Sequence, residues 1–134
     1  MILSTLDTNY LKKQQNIYLL VTFICLFFGM IYEMFSHQIY SLYMIYAFLI
    51  PFLFGYVPTY YLCKKKKSIN RIIVNFYNAS IGNFTLYSIF RGILEIYGTT
   101  NQLLNVYLYV GLLFIILSMC IAFIDCINLL KSIK

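Results

Sequence analysis

Four long apolar stretches separated by short polar joints run through this chain, at about 17–36, 39–62, 69–97 and 103–130. Each approaches or exceeds the ~20 apolar residues a helix needs to cross a bilayer. The pattern therefore predicts an all-α, polytopic membrane protein: a single domain over residues 1–134, folded as a compact up-down bundle of four transmembrane helices. Residues 1–16 form a polar lead in which Leu3, Leu6 and Tyr10 recur at helical spacing, as in a turn of helix lying on a membrane surface. Lys12 and Lys13 precede the first apolar run as they would in a signal peptide. That run is longer than such a segment needs, and no small-x-small cleavage site follows, so the expectation is a retained first span.

The joints set the connectivity. His37-Gln38 is so short that the first two helices must form a tight antiparallel hairpin. The loop 63–68 joins the second and third. Gly98-Thr99-Thr100-Asn101-Gln102 joins the third and fourth, with Gly98 suited to stop a helix and Thr99, Thr100 or Asn101 suited to start one. Two strings at the outer joints look specific: Ser36-His37-Gln38-Ile39-Tyr40-Ser41 and Glu95-Ile96-Tyr97-Gly98-Thr99-Thr100.

Small and polar residues recur at intervals of three, four and seven. Thr22, Cys25, Gly29, Glu33 and Ser36 share one side of the first helix. Asn78, Gly82, Thr85, Ser88, Gly92 and Glu95 share one side of the third, and Gly111, Ser118, Ala122 and Asp125 one side of the fourth. Small faces let helix backbones approach in lipid, and polar side chains there bond across helices. The amides of Asn75, Asn78 and Asn83 are expected to do so. Asn78 and Asn83 open N-x-S/T triplets, but both lie inside an apolar stretch, so glycosylation is not expected. The second helix carries Pro51, Gly55 and Pro58. A proline inside a helix removes a backbone bond and frees a carbonyl one turn back, so a kink is expected there. The first and third helices echo each other, with Gly29 to Glu33 and Gly92 to Glu95 each placing an acid near an outer joint.

Charge gives the pattern a direction. Of the ten Lys and Arg residues, all but Arg91 fall on one side of the proposed topology: Lys12, Lys13, Lys64, Lys65, Lys66, Lys67, Arg71, Lys131 and Lys134. The positive-inside bias then predicts both termini and the basic loop in the cytoplasm, with the chain multi-pass in the cytoplasmic (plasma) membrane. With 62% hydrophobic and 10% charged residues, no segment can bury a soluble core of its own. The net charge of +6 flanks apolar segments, where it meets lipid headgroups, and is no nucleic-acid footprint. Fourteen tyrosines and no tryptophan supply the interfacial aromatics, with Tyr32, Tyr40, Tyr43, Tyr97 and Tyr107 toward the outer boundary and Tyr10, Tyr18, Tyr60, Tyr61 and Tyr77 toward the inner. Cys25, Cys63, Cys120 and Cys126 form no C-x-x-C and read as small hydrophobes.

Candidate chemistry gathers at the outer rim. Glu33 and His37 are four apart on the first helix, and Arg91 and Glu95 four apart on the third. Arg91 lies about 9 Å inside its helix end, where a guanidinium needs a carboxylate or a route to water. If the two helices are neighbours, these four groups form an outward ligand-binding or proton-linked site, or an ion-paired cluster with Arg91 between Glu33 and Glu95. Asp125 is expected to pair with Arg71, Lys12 or Lys131. No phosphate loop, nucleophile elbow or metal spacing appears, and neither a catalytic centre nor a cofactor is expected. Three classes follow: a small transport or ligand-binding unit working as an oligomer, a non-catalytic accessory subunit of a larger membrane complex, and a redox protein with a cofactor at His37.

Overall fold

The computed structural model describes residues 8–36, 39–65 and 69–132, and these are all-helical. His37 and Gln38, the first seven residues, 66–68 and the last two lie outside the described residues. Helix α1 (Thr8–Phe35) is continuous and takes in most of the polar lead. Leu11 is only 1% exposed, so this part of the lead is held by packing against protein, while Leu3 and Leu6 lie outside the described residues. Residues 39–41 lie outside the helices, with Ser41 extended, and the second rod begins three residues later than expected.

That rod is made of three pieces. Helix α2 (Leu42–Tyr46) leads into a π-helical turn (Pro51–Tyr56), which runs into α3 (Val57–Lys64). Proline chemistry accounts for the change of winding. Pro51 and Pro58 offer no N–H, so the carbonyls of Ala47 and Phe54 lose their α-helical partners. The chain answers with a wider turn, in which the Val57 N–H donates to the Phe52 carbonyl five residues back. The Phe54 carbonyl accepts instead from the Tyr77 hydroxyl of the next helix, at 2.8 Å. The kink expected from Pro51, Gly55 and Pro58 is thus a π-helical widening tied to its neighbour. Gly55 sits where any Cβ would overlap the Tyr18 ring of α1.

Helix α4 (Arg71–Ile96) is capped at both ends by its own sequence. Asn70 accepts from the Ile72 N–H at 3.1 Å. At the other end Gly98 takes φ +68°, and the Thr99 and Gly98 N–H groups return to the carbonyls of Leu94 and Glu95. This is the paired closure that a left-handed glycine allows. Asn101 then starts the next element by accepting from the Leu103 N–H at 2.9 Å. A 3-10 turn (Gln102–Leu104) leads into α5 (Asn105–Ser132).

Successive rods are antiparallel. Gly29 meets Met44 and Tyr18 meets Gly55 across the first pair; Ser88 meets Tyr43 and Tyr77 meets Phe54 across the second; Gly111 meets Phe84 and Ser118 meets Ile73 across the third. One end of the bundle therefore gathers Lys12, Lys13, Lys64, Lys65, Arg71 and Lys131, and the other gathers the turns at 36–41 and 97–101. We call these the basic end and the turn end. Three rods are long and apolar enough to cross a membrane: Asn9–Phe35, Leu42–Lys64 and Gln102–Lys131. Helix α4 is 26 residues, about 39 Å, but carries too many polar groups to join them. It is the hub instead, packing on the second rod and on α5, while α5 packs chiefly on α4.

Candidate functional site

At the turn end, three helices close on Met44. Met44 is 1% exposed, and Gly29 of α1 and Gly92 of α4 approach its backbone from either side. A Cβ on Gly92 would sit 2.9 Å from the Met44 nitrogen, and one on Gly29 3.2 Å from its oxygen. The echo between the two helices thus has a physical content, since both use a glycine to reach the same residue. Thr22, Cys25, Ser36, Thr85 and Ser88, also on the small faces, are buried. Gly82 faces open space and takes no part.

Above this wedge lie the charged groups. Met44 of the second rod stands between Gly29 of α1 and Gly92 of α4 here, and Glu95 and Arg91 each take a partner on the second rod. Ser41, 1% exposed, donates to Glu95 Oε2 at 2.5 Å. The Arg91 guanidinium lies over the Tyr43 ring, 5.4 Å from its centroid. Arg91 takes a π-face in place of the expected position between Glu33 and Glu95. This suits a cation near apolar surface, because the ring quadrupole attracts it without a second desolvated charge. Glu33 lies on the α1 face shared with Gly29 and Ser36. Its Oε1 is enclosed and, among the described residues, has no hydrogen-bond partner. His37 lies outside the described residues. Tyr32 and Tyr97 line one cleft between α1 and α4 at this end.

Arg91 and Glu95 share a cleft. It has a volume of about 180 Å³ and is completed by Thr99, Thr100, Asn101, Gln102 and Asn105 from the α4–α5 turn. The glycine closure at 98 and the Asn101 cap fix that turn, so the hydroxyls and amides stand on rigid backbone. A guanidinium, a carboxylate and neutral donors and acceptors thus face one another across a small space. Ser41, Tyr43 and the turn residues were not among the sequence candidates. Ser41, Thr99 and Thr100 lie in the two outer strings that looked specific, but only the fold brings them to Arg91 and Glu95.

A second cleft follows the same helix toward the basic end. It has a volume of about 320 Å³ and is almost wholly apolar, with Ile50 and Phe54 from the second rod, Tyr77, Ile81 and Phe84 from α4, and Ile115 from α5 on its walls. Its upper edge is formed by Tyr43 and Ser88, and Ser88 donates to the Tyr43 carbonyl at 2.8 Å.

Among the described residues, amides rather than ion pairs hold the basic end. The Tyr18 hydroxyl donates to Asn78 Oδ1, Asn78 Nδ2 donates to Gln14 Oε1 at 3.1 Å, and Gln14 donates to the Tyr10 hydroxyl at 3.0 Å. Arg71 lies over the Tyr10 ring at 5.5 Å. Asp125 accepts from Asn70 at 3.1 Å, where Arg71, Lys12 or Lys131 had been expected. Arg71 is drawn away by Tyr10, and Asn70 is already placed by its capping role. Tyr18, expected in the inner aromatic belt, is buried against Gly55. Of the asparagines expected to bond across helices, Asn78 does. Asn83 donates to its own helix at the Ala79 carbonyl, 2.8 Å away, and Asn75 is exposed. Among the described residues no group of three or more His, Cys, Asp or Glu side chains could hold a metal ion. No protein-family model matches this chain, and neither the curated proteins nor the solved structures contain a match to it.

Proposed function

We propose that this chain is a four-crossing protein of the cytoplasmic (plasma) membrane, with the basic end and both termini inside, and that it binds a small zwitterionic group at its turn end. The topology reading is supported by the gathering of lysines and arginines at one end of an antiparallel bundle. In this reading α4 is the remaining crossing. Its polar groups are tolerable because most are spent on other rods or on its own carbonyls.

The observation that carries the binding reading is the shared lining of the turn-end cleft by Arg91 and Glu95, each held by a neighbour other than the opposite charge. A pair of opposite charges not spent on one another is a receptor for a ligand that carries both. Binding is favoured over passage through one copy, because Met44 is wedged tightly between Gly29 and Gly92 beneath the charges. The test is thermal unfolding of the detergent-purified chain with millimolar phosphoethanolamine or glycine, against acetate and ethylamine. The two zwitterions should raise Tm more than the singly charged compounds, and Arg91→Gln or Glu95→Gln should remove the rise. Equal responses to all four compounds, or none, would overturn the reading.

A second reading, the accessory or oligomeric subunit, is favoured by α5. Its outer flank leaves Leu113, Ile116, Met119, Phe123 and Ile124 more than half exposed. A partner or second copy seated there would hold the chain in a larger particle through gentle detergent extraction. A particle of single-chain mass would count against it.

A further inference from the structure

We propose that the turn-end ligand is a membrane phospholipid with a primary-ammonium, zwitterionic headgroup. Its phosphate sits at Arg91, its ammonium at Glu95, and one acyl chain fills the apolar cleft beneath. This ligand class rests on the binding reading above. Tyr77, Ile81, Phe84, Ser88, Arg91 and Glu95 recur at intervals of four, three, four, three and four, so they form one stripe along α4. The first four line the apolar cleft and the last two the polar one. The two clefts therefore lie end to end on one helix face, a shape that matches a molecule with a charged head and a hydrocarbon tail.

The length is right for one leaflet. From Tyr77 to Ser88 the helix rises about 16 Å, roughly half the ~30 Å hydrocarbon thickness of a bilayer. The cleft's walls hold too few polar partners to keep water, and an empty cleft would forfeit dispersion contacts on every wall. Phe54 and Tyr43 on its rim are exposed, so hydrocarbon has access from the side. The head is selected by charge. Arg91 and Glu95 are four residues apart, with about 5–6 Å between their Cβ atoms, so a phosphate and an ammonium on one headgroup can meet both. A singly anionic headgroup would leave Glu95 facing a phosphate with no cation between them. A trimethylammonium headgroup has no N–H to give the carboxylate.

Native mass spectrometry of the full chain in detergent tests this, with dioleoyl phosphatidylethanolamine, phosphatidylglycerol and phosphatidylcholine added in equal amounts. The ethanolamine lipid should be retained about tenfold over either of the others, a difference of about 1.4 kcal/mol. Ile81→Trp and Ile115→Trp fill the cleft from its two sides and should each lower retention about tenfold, while leaving the Tm rise from soluble phosphoethanolamine intact. Arg91→Gln should lower both. Ile115→Trp decides the matter if Ile81→Trp does not fold. Equal retention of the three lipids, or retention that survives the filling variants, overturns the lipid assignment. If the soluble headgroup still raises Tm in that case, the binding reading stands. If it raises Tm in no form of the protein, both fall.

Discussion

Helices α4 and α5 are nearly equal in length, 26 and 28 residues, and pack against each other, yet they solve opposite problems. Helix α5 carries the most hydrophobic window of the three long apolar rods, and only 11% of that window is buried within the chain, as suits a helix solvated by lipid. Helix α4 falls short of the apolarity of a crossing helix and sits at the centre. Ser88 repairs the Tyr43 carbonyl, Tyr77 repairs the Phe54 carbonyl freed by Pro58, and Asn78 bonds to two residues of α1. Where a helix is surrounded by protein, polar side chains give it fixed partners. Where it is surrounded by hydrocarbon, they would only cost desolvation.

The contrast is sharpest for close packing. Gly92→Leu on α4 drives a side chain into the Met44 backbone and should cost about 3 kcal/mol or more, read as loss of a monodisperse folded peak after detergent extraction. Leu113→Phe on the exposed flank of α5 should change stability by no more than about 0.5 kcal/mol. Similar losses at the two positions would break the distinction. Next in size is Tyr77→Phe, which leaves the Phe54 carbonyl without its donor. It should cost about 1 kcal/mol in reversible unfolding, with the ring packing kept. Smaller than that is Ser118→Ala, which removes an α5 hydroxyl bonded to α4 at the Ile73 carbonyl. A loss of about 0.6 kcal/mol is expected. A larger loss than at Tyr77 would mean that the edge helix, and not the hub, relies on polar contacts.

Much of this architecture is legible in the sequence, because membrane helices obey local rules. Apolar length gave the rods, Gly98 gave the helix stop with Asn101 one of three possible starts, and the spacing of Gly29, Gly92 and Gly111 gave the contact faces. What the sequence could not give was choice among partners. Arg91 had two carboxylates within plausible reach and took the Tyr43 ring. Asp125 had three cations to choose from and took Asn70. Such choices depend on which rod stands between which others, and no periodicity encodes that. The π-helical turn was half legible: two prolines foretell freed carbonyls, but not that Tyr77 would be at hand to meet one. Of the stripe from Tyr77 to Glu95 only the Arg91–Glu95 spacing stood out in the sequence, because the rest gains meaning from the walls that Ile50, Phe54 and Ile115 supply.

The central claim, that α4 crosses the membrane with the turn end outside, is open to direct measurement by thiol labelling in intact cells. With Cys63, Cys120 and Cys126 replaced by Ser and the buried Cys25 kept, a membrane-impermeant maleimide should label Thr100→Cys from outside. It should label Lys65→Cys only after the membrane is opened. Labelling of both positions from the same side would show that α4 does not cross, and would contradict the account.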